Sequence, residues 1–275
     1  MRVMSAITAG VVAGFVQLTG SAWANESDMD RLISLMRVAD TVEIMRKEGL
    51  RYGAEIGAEM LPDVSETDWE RTVSRIYDPV KMEAVIIQGF ESVLDGKDVG
   101  KLVSFFTSEL GQEVITLEIS AREAFLDDDT ERAAIDAYDT ALEDKTELYS
   151  QVETIISDSD LVEFNVMGAM NANLMFYRGL ADGGAIDLGE EDMLADVWAQ
   201  EPEIRAESEA WLGSFLLMAY RPLDAGELET YAELYRTPEG RILNMAIFRA
   251  YDRMYDEISY LLGQAVAEHM RSEEL

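Results

Sequence analysis

The chain has 275 residues, with 22 Lys and Arg against 55 Asp and Glu, one His and no Cys, for a net charge of −33. A pI near 4.1 leaves no clustered cationic surface for phosphates and excludes nucleic-acid binding; without cysteine, thiol nucleophiles, cysteine-based zinc sites, iron–sulfur clusters and disulfides are excluded too. Hydrophobic residues make up 48% of the chain and are regularly spaced, so a folded core is expected despite the charge.

At the N-terminus, Met1-Arg2 precedes an apolar stretch from Ala6 to Leu18 and then Ser21-Ala22-Trp23-Ala24. A basic start, a short apolar run and an A-x-A site read as a cleavable signal peptide over 1–24, cut after Ala24, which addresses the chain to the periplasm or the medium. Thr8, Gly10, Gly14 and Gln17 interrupt the run, which falls short of the ~20 residues a span needs. No later stretch is apolar enough to span, so the chain is not expected to cross a membrane once the signal is removed.

Beyond the signal, apolar residues recur at three- and four-residue spacing, as in Leu32, Leu35, Met36, Ala39, Val42 and Met45, or Leu243, Ile247, Ala250, Met254, Ile258, Leu261 and Leu262. The period predicts helices over 28–60, 66–76, 79–94, 98–107, 109–126, 130–156, 160–179, 190–200, 202–220, 224–235 and 238–270. No sustained alternation marks a strand. The five prolines, at 62, 79, 202, 222 and 238, all fall where the period breaks.

Two stretches match each other chemically. Asp98-Val99, Leu102 and Phe105-Phe106-Thr107-Ser108-Glu109-Leu110-Gly111 fall on Glu227-Leu228, Tyr231 and Leu234-Tyr235-Arg236-Thr237-Pro238-Glu239-Gly240. Ser108 and Thr237 are N-cap residues, and Pro238 suits the first helical position, so each copy reads as helix, tight corner, helix. The predicted fold class is therefore all-α: an antiparallel helical bundle built by tandem duplication into two packed lobes. Copy 1 covers 28–126 and copy 2 covers 158–270, with an acidic turn and a bridging helix over 127–157.

On these corners the chain resembles a family of uncharacterised exported proteobacterial domains, of the domain-of-unknown-function type, marked by an aromatic-x-Thr-Pro-x-Gly turn. Leu234 to Gly240 fits that pattern, whereas the first copy has Ser108-Glu109 in place of Thr-Pro. The resemblance implies an all-helical exported module with no established activity, and it transfers no catalytic residue.

Candidate chemistry is sparse. His269 is the lone histidine and reads as a cation near a helix C-terminus, with a pH switch or a single metal ligand as the functional alternative. Acidic clusters at Asp127-Asp128-Asp129, Asp158-Ser159-Asp160 and Asp182 through Asp192 offer oxygen ligands for Ca²⁺, but Gly184 and Ile186 occupy places where a calcium loop needs oxygens, so solvated turns and caps explain them better. Gly49, Gly53 and Gly57 share one helical face and predict close approach of another helix backbone, with a functional groove as the alternative. Met167, Met170 and Met175 could belong to an adaptable partner surface or to ordinary core. No catalytic residue, metal ligand set or cofactor is assigned. The function expected is a non-enzymatic exported module that binds an envelope or periplasmic protein or an amphipathic segment. The alternative is a periplasmic binding protein for a small ligand or divalent cation at the junction of the two copies, followed by a carboxylate-based enzyme.

Overall fold

A computed structural model describes residues 27–62 and 64–273, with side chains described as far as 271. The signal peptide expected at 1–24, with its cleavage site, lies outside the described residues. These are all-helical: α1 (Asp28–Leu35), α2 (Val38–Met60), α3 (Glu66–Ile76), α4 (Pro79–Leu94), α5 (Gly100–Thr107), α6 (Glu109–Ala124), α7 (Asp128–Asp144), α8 (Glu147–Asp158), α9 (Leu161–Asp182), α10 (Glu190–Ala199), α11 (Glu201–Tyr220), α12 (Ala225–Arg236) and α13 (Pro238–Glu273). None of these helices is long and apolar enough to cross a membrane.

Short polar residues start many of the helices. Ser27 and Asp224 close capping boxes with Asp30 and Glu227, while Asp78, Ser108, Asp127 and Thr146 each accept a hydrogen bond from an early backbone N–H. Two of the predicted helices are each two helices. The stretch 28–60 breaks at Arg37, which adopts the left-handed conformation (φ 59°), and 130–156 breaks at Lys145 (φ 49°). Neither residue is a Gly or Asn, so each left-handed turn costs roughly 1–2 kcal/mol and is not announced by the residue that makes it. Packing supplies the reason for the first break. With the chain turned at Arg37, α1 lies on α5 while α2 lies on α3 and α4, an arrangement a straight helix could not reach.

The two corners share one geometry. The Ser108 hydroxyl donates to the Phe105 carbonyl (2.6 Å) and accepts from Gly111 N–H (3.1 Å); the Thr237 hydroxyl donates to the Leu234 carbonyl (2.6 Å) and accepts from Gly240 N–H (3.0 Å). At Gly111 and Gly240 alike, a Cβ would collide with the end of the preceding helix. Around the corners the helices follow one order: α1 to α6 and α8 to α13, with α7 between. A left-handed linker residue, Arg37 or Asp160, stands between the first two helices of each set, and Pro79 or Pro202 near the start of the fourth.

The hydrophobic cores do not follow the two chain segments 28–126 and 158–270. One core gathers residues of α1 to α5 with Ile115 and Ile119 of α6, the later half of α9 and the length of α13 from Leu243 to Ala267. A second gathers α7, α8, α11 and α12 with Val114 and Ala121 of α6, and a small third joins Val166 and Ala169 of α9 to Ile204 of α11. The last helix of the second set thus packs on α4 of the first, while α6, the last of the first, packs on α11 of the second. Antiparallel pairing holds for α2 with α3 and for α9 with α11, whereas α9 and α13 run parallel in the most extensive contact of the fold. Phe164 stacks on Phe248 (4.5 Å between centroids), and further along Gly179 meets Gly263 backbone to backbone.

The glycine face of α2 is filled by side chains of α3 and its end. Tyr77 lies over Gly49, Val73 over Gly53 and Trp69 over Gly57, and Trp69 Nε1–H donates to the Gly53 carbonyl (2.6 Å). A second helix does run close, but its side chains rather than its backbone take the space. Gly53→Leu should therefore lower the urea midpoint: overpacking costs ~1–3 kcal/mol against a helix-propensity gain under ~1 kcal/mol. A raised midpoint would contradict this packing.

Candidate functional site

Between the two helix sets lies a cleft of about 400 Å³, lined from α2, α6, α7, α9, α11 and α13 and by Tyr77 at the end of α3. Small residues of α9, Gly168, Ala169 and Ala172, form one wall; Phe125 and Trp211 stand on another. Phe125 meets Trp211 edge to face (5.7 Å), and Trp211 is stacked on Phe215 (4.8 Å), so the aromatic wall is held in place from behind.

At the cleft floor Arg122 of α6 is 1% exposed, and its Nε–H and Nη2–H donate to the two oxygens of Glu48 of α2 (3.0 and 2.8 Å). This bidentate fit matches the planar guanidinium to the carboxylate. Burial works to lower the Arg122 pKa, but Glu48 and Tyr255, whose hydroxyl accepts from Arg122, hold it above the ordinary value. Three tyrosines surround the pair. Burial raises Tyr77, Tyr255 and Tyr52 above the usual phenol range, Tyr52 to about 12, so all three stay protonated. The Tyr77 hydroxyl is buried without a hydrogen-bond partner. At the rim, Arg51 pairs with Asp128 (2.9 Å) and Arg132 with Asp129.

Asn165 lines this cleft and also a smaller cavity of about 50 Å³ that reaches Glu118 of α6. Glu118 is 3% exposed; one of its oxygens accepts from the hydroxyls of Tyr220 (2.7 Å) and Tyr231 (2.8 Å). Burial pushes its pKa up to about 7, and the two tyrosine donors hold it back from rising further. The folded protein therefore keeps this proton to higher pH than the unfolded chain, whose Glu loses it near ~4.3. Folded-state stability must fall as pH rises through that interval. Asp252 (about 7) and Asp256 (about 6) on α13 move stability in the same direction, so a variant is needed to isolate Glu118. Between pH 5 and 8 the wild-type unfolding free energy should drop more than that of Glu118→Gln, by ~2–3 kcal/mol. Equal drops would show that Glu118 is ionised throughout.

The candidates singled out from sequence lie elsewhere. His269 packs edge-on against Trp69 (5.6 Å), outside the cleft. Of the acidic runs, Asp127 caps α7, Asp158 pairs with Arg236 (2.7 Å), Asp182 accepts from the Tyr260 hydroxyl (2.9 Å) and Glu190 pairs with Arg178. Among the described residues no three His, Asp or Glu come together as metal ligands. Met167 is 60% exposed, while Met170 packs beside Val166, Ala169 and Ile204. Only Gly49 of the glycine face and Asp128 of the acidic turn reach the cleft. Neither Arg122 of its floor nor Glu118 of the smaller cavity was among those candidates, although the two stand four apart on the apolar face of α6, where two charges are out of place. No family model, curated protein or solved structure matches the chain.

Proposed function

We propose that this protein is a non-catalytic binding protein of the periplasm or medium, which holds a small organic molecule in the cleft between its helix sets. The cleft carries the reading: about 400 Å³, with an aromatic wall and a floor of oriented polar groups, is the size and make-up of a small-molecule site. Binding is favoured over catalysis because the charged groups of the floor are spent on each other, Glu48 accepting from Arg122 at both oxygens. The Ala22-Trp23-Ala24 site supports export, with Asn25 as the first residue of the mature protein. The shared helix order and the matching corners at Ser108 and Thr237 support origin by duplication, and the same corners carry the proposed kinship to the exported helical family.

Native mass spectrometry of protein purified gently from its producing cells tests this. A stoichiometric small-molecule adduct is expected, and it should be absent from Ala210→Trp, which fills the half-buried rim of the cleft. Bare protein in both samples would overturn the reading. A second reading, docking of an envelope protein, draws on Trp198, 65% exposed, and Leu194, 38% exposed, one turn apart on α10. Trp198→Ala should then abolish capture of that protein by in-cell crosslinking and leave the small-molecule adduct intact.

A further inference from the structure

Resting on the reading of the cleft as a small-molecule site, we infer that its ligand is an organic cation: an ammonium group borne on an apolar, ring-sized body. Charge points there first. The lining carries five carboxylates and three guanidiniums, and the whole chain is at −33, so cations are drawn toward the cleft and anions repelled.

The cationic side of that balance is also the less available. Arg122, the one guanidinium on the floor, is 1% exposed and already committed to both Glu48 oxygens. An anionic ligand would have to displace Glu48 from it. Glu48 is the more exposed partner, 28% against 1%, and each of its oxygens retains a lone pair beyond the bond from Arg122. A ligand N–H can use those without breaking the pair.

The Tyr77 hydroxyl is the second, independent observation. It is buried among Tyr255, Tyr52 and Glu48 with no partner, and a buried hydroxyl left unpaired is costly. A second N–H of the same ammonium group satisfies it as acceptor. Tyr52, Tyr77, Phe125, Trp211 and Tyr255 together give the cleft the ring-rich lining that attracts a cation through the negative faces of the rings and covers an apolar body.

Calorimetric titration of the full protein with three probes of one shape tests the assignment: 3-phenylpropylamine, 3-phenylpropan-1-ol and 3-phenylpropionate. The amine should bind about tenfold or more tighter than the alcohol, with the carboxylate weakest, and the preference should shrink as salt is raised. Tyr77→Phe, which removes a hydroxyl that holds nothing in the fold, should keep its helical circular dichroism and lose amine affinity several-fold. An alcohol or carboxylate that binds as well as the amine, and is excluded by Ala210→Trp, overturns the cation and leaves the cleft as a binding site. Probes that all fail, while the native adduct is seen and is lost in Ala210→Trp, overturn the cation alone. Failure of the probes together with absence of any adduct overturns both.

Discussion

Glu48→Ala should destabilise the protein by ~3–5 kcal/mol, because it leaves the Arg122 guanidinium inside the fold without its counter-charge. Arg122 cannot escape by losing its proton, since a guanidinium stays charged in proteins. Nor can it move out to water, because α6 is held at both its faces, by Ile115 and Ile119 in one core and by Val114 and Ala121 in the other. Replacing both residues, Glu48→Leu with Arg122→Met, should recover most of that loss, as apolar groups of similar volume can substitute for a buried ion pair at little cost. Urea unfolding of Glu48→Leu, Arg122→Met and the double variant measures the coupling directly. If Glu48→Ala falls by less than ~1 kcal/mol, the pair is solvated and the cleft floor is not the organised feature described above.

Gly179→Ala is the second large effect. A Cβ at Gly179 would run into the Tyr260 carbonyl and come within 2.9 Å of the Gln264 nitrogen and 3.0 Å of the Gly263 α-carbon; Gly263 has the reciprocal contacts with Phe176, Leu180 and Gly179. All of these are backbone atoms, which cannot swing aside as a side-chain tip can. Separating α9 from α13 is the only relief, and it would loosen Phe164 from Phe248 and open the core along α13. A loss of ~3 kcal/mol is expected, at the upper end of overpacking, from which alanine's helix preference recovers under ~1 kcal/mol. Gly53→Ala, whose nearest neighbours are the Val73 methyl groups, should cost less. Urea midpoints rank the two, and an unchanged midpoint for Gly179→Ala would mean the parallel helices are not in contact there.

What was legible in the chain follows from which physical signals are local. The 3.6-residue period gave the helices, and the side-chain oxygens of Ser108 and Thr237 marked where two of them begin, because capping is settled within four residues. The break at Arg37 left no local mark: a left-handed turn at a long side chain there is imposed by the packing of the helices it joins. Thr146-Glu147 was a cap signal for the second break, overlooked inside a strong period. The glycine face of α2 foretold a close neighbour, but side chains rather than the expected helix backbone take the space, since the period says which face is buried and not what fills it. The cleft was the least legible feature. Glu48, Tyr77, Arg122, Trp211 and Tyr255 come from five places in the chain, and only the exchange of α6 and α13 between the helix sets brings them together.

That exchange also makes the cleft depend on both cores at once, and scanning calorimetry of the protein measures it. If α6 and α13 interlock the two helix sets as their packing on α11 and α4 indicates, unfolding should be one transition whose calorimetric enthalpy equals its van't Hoff enthalpy. Two resolved transitions, or a calorimetric enthalpy well above the van't Hoff value, would mean that the sets melt independently and that no fixed cleft lies between them.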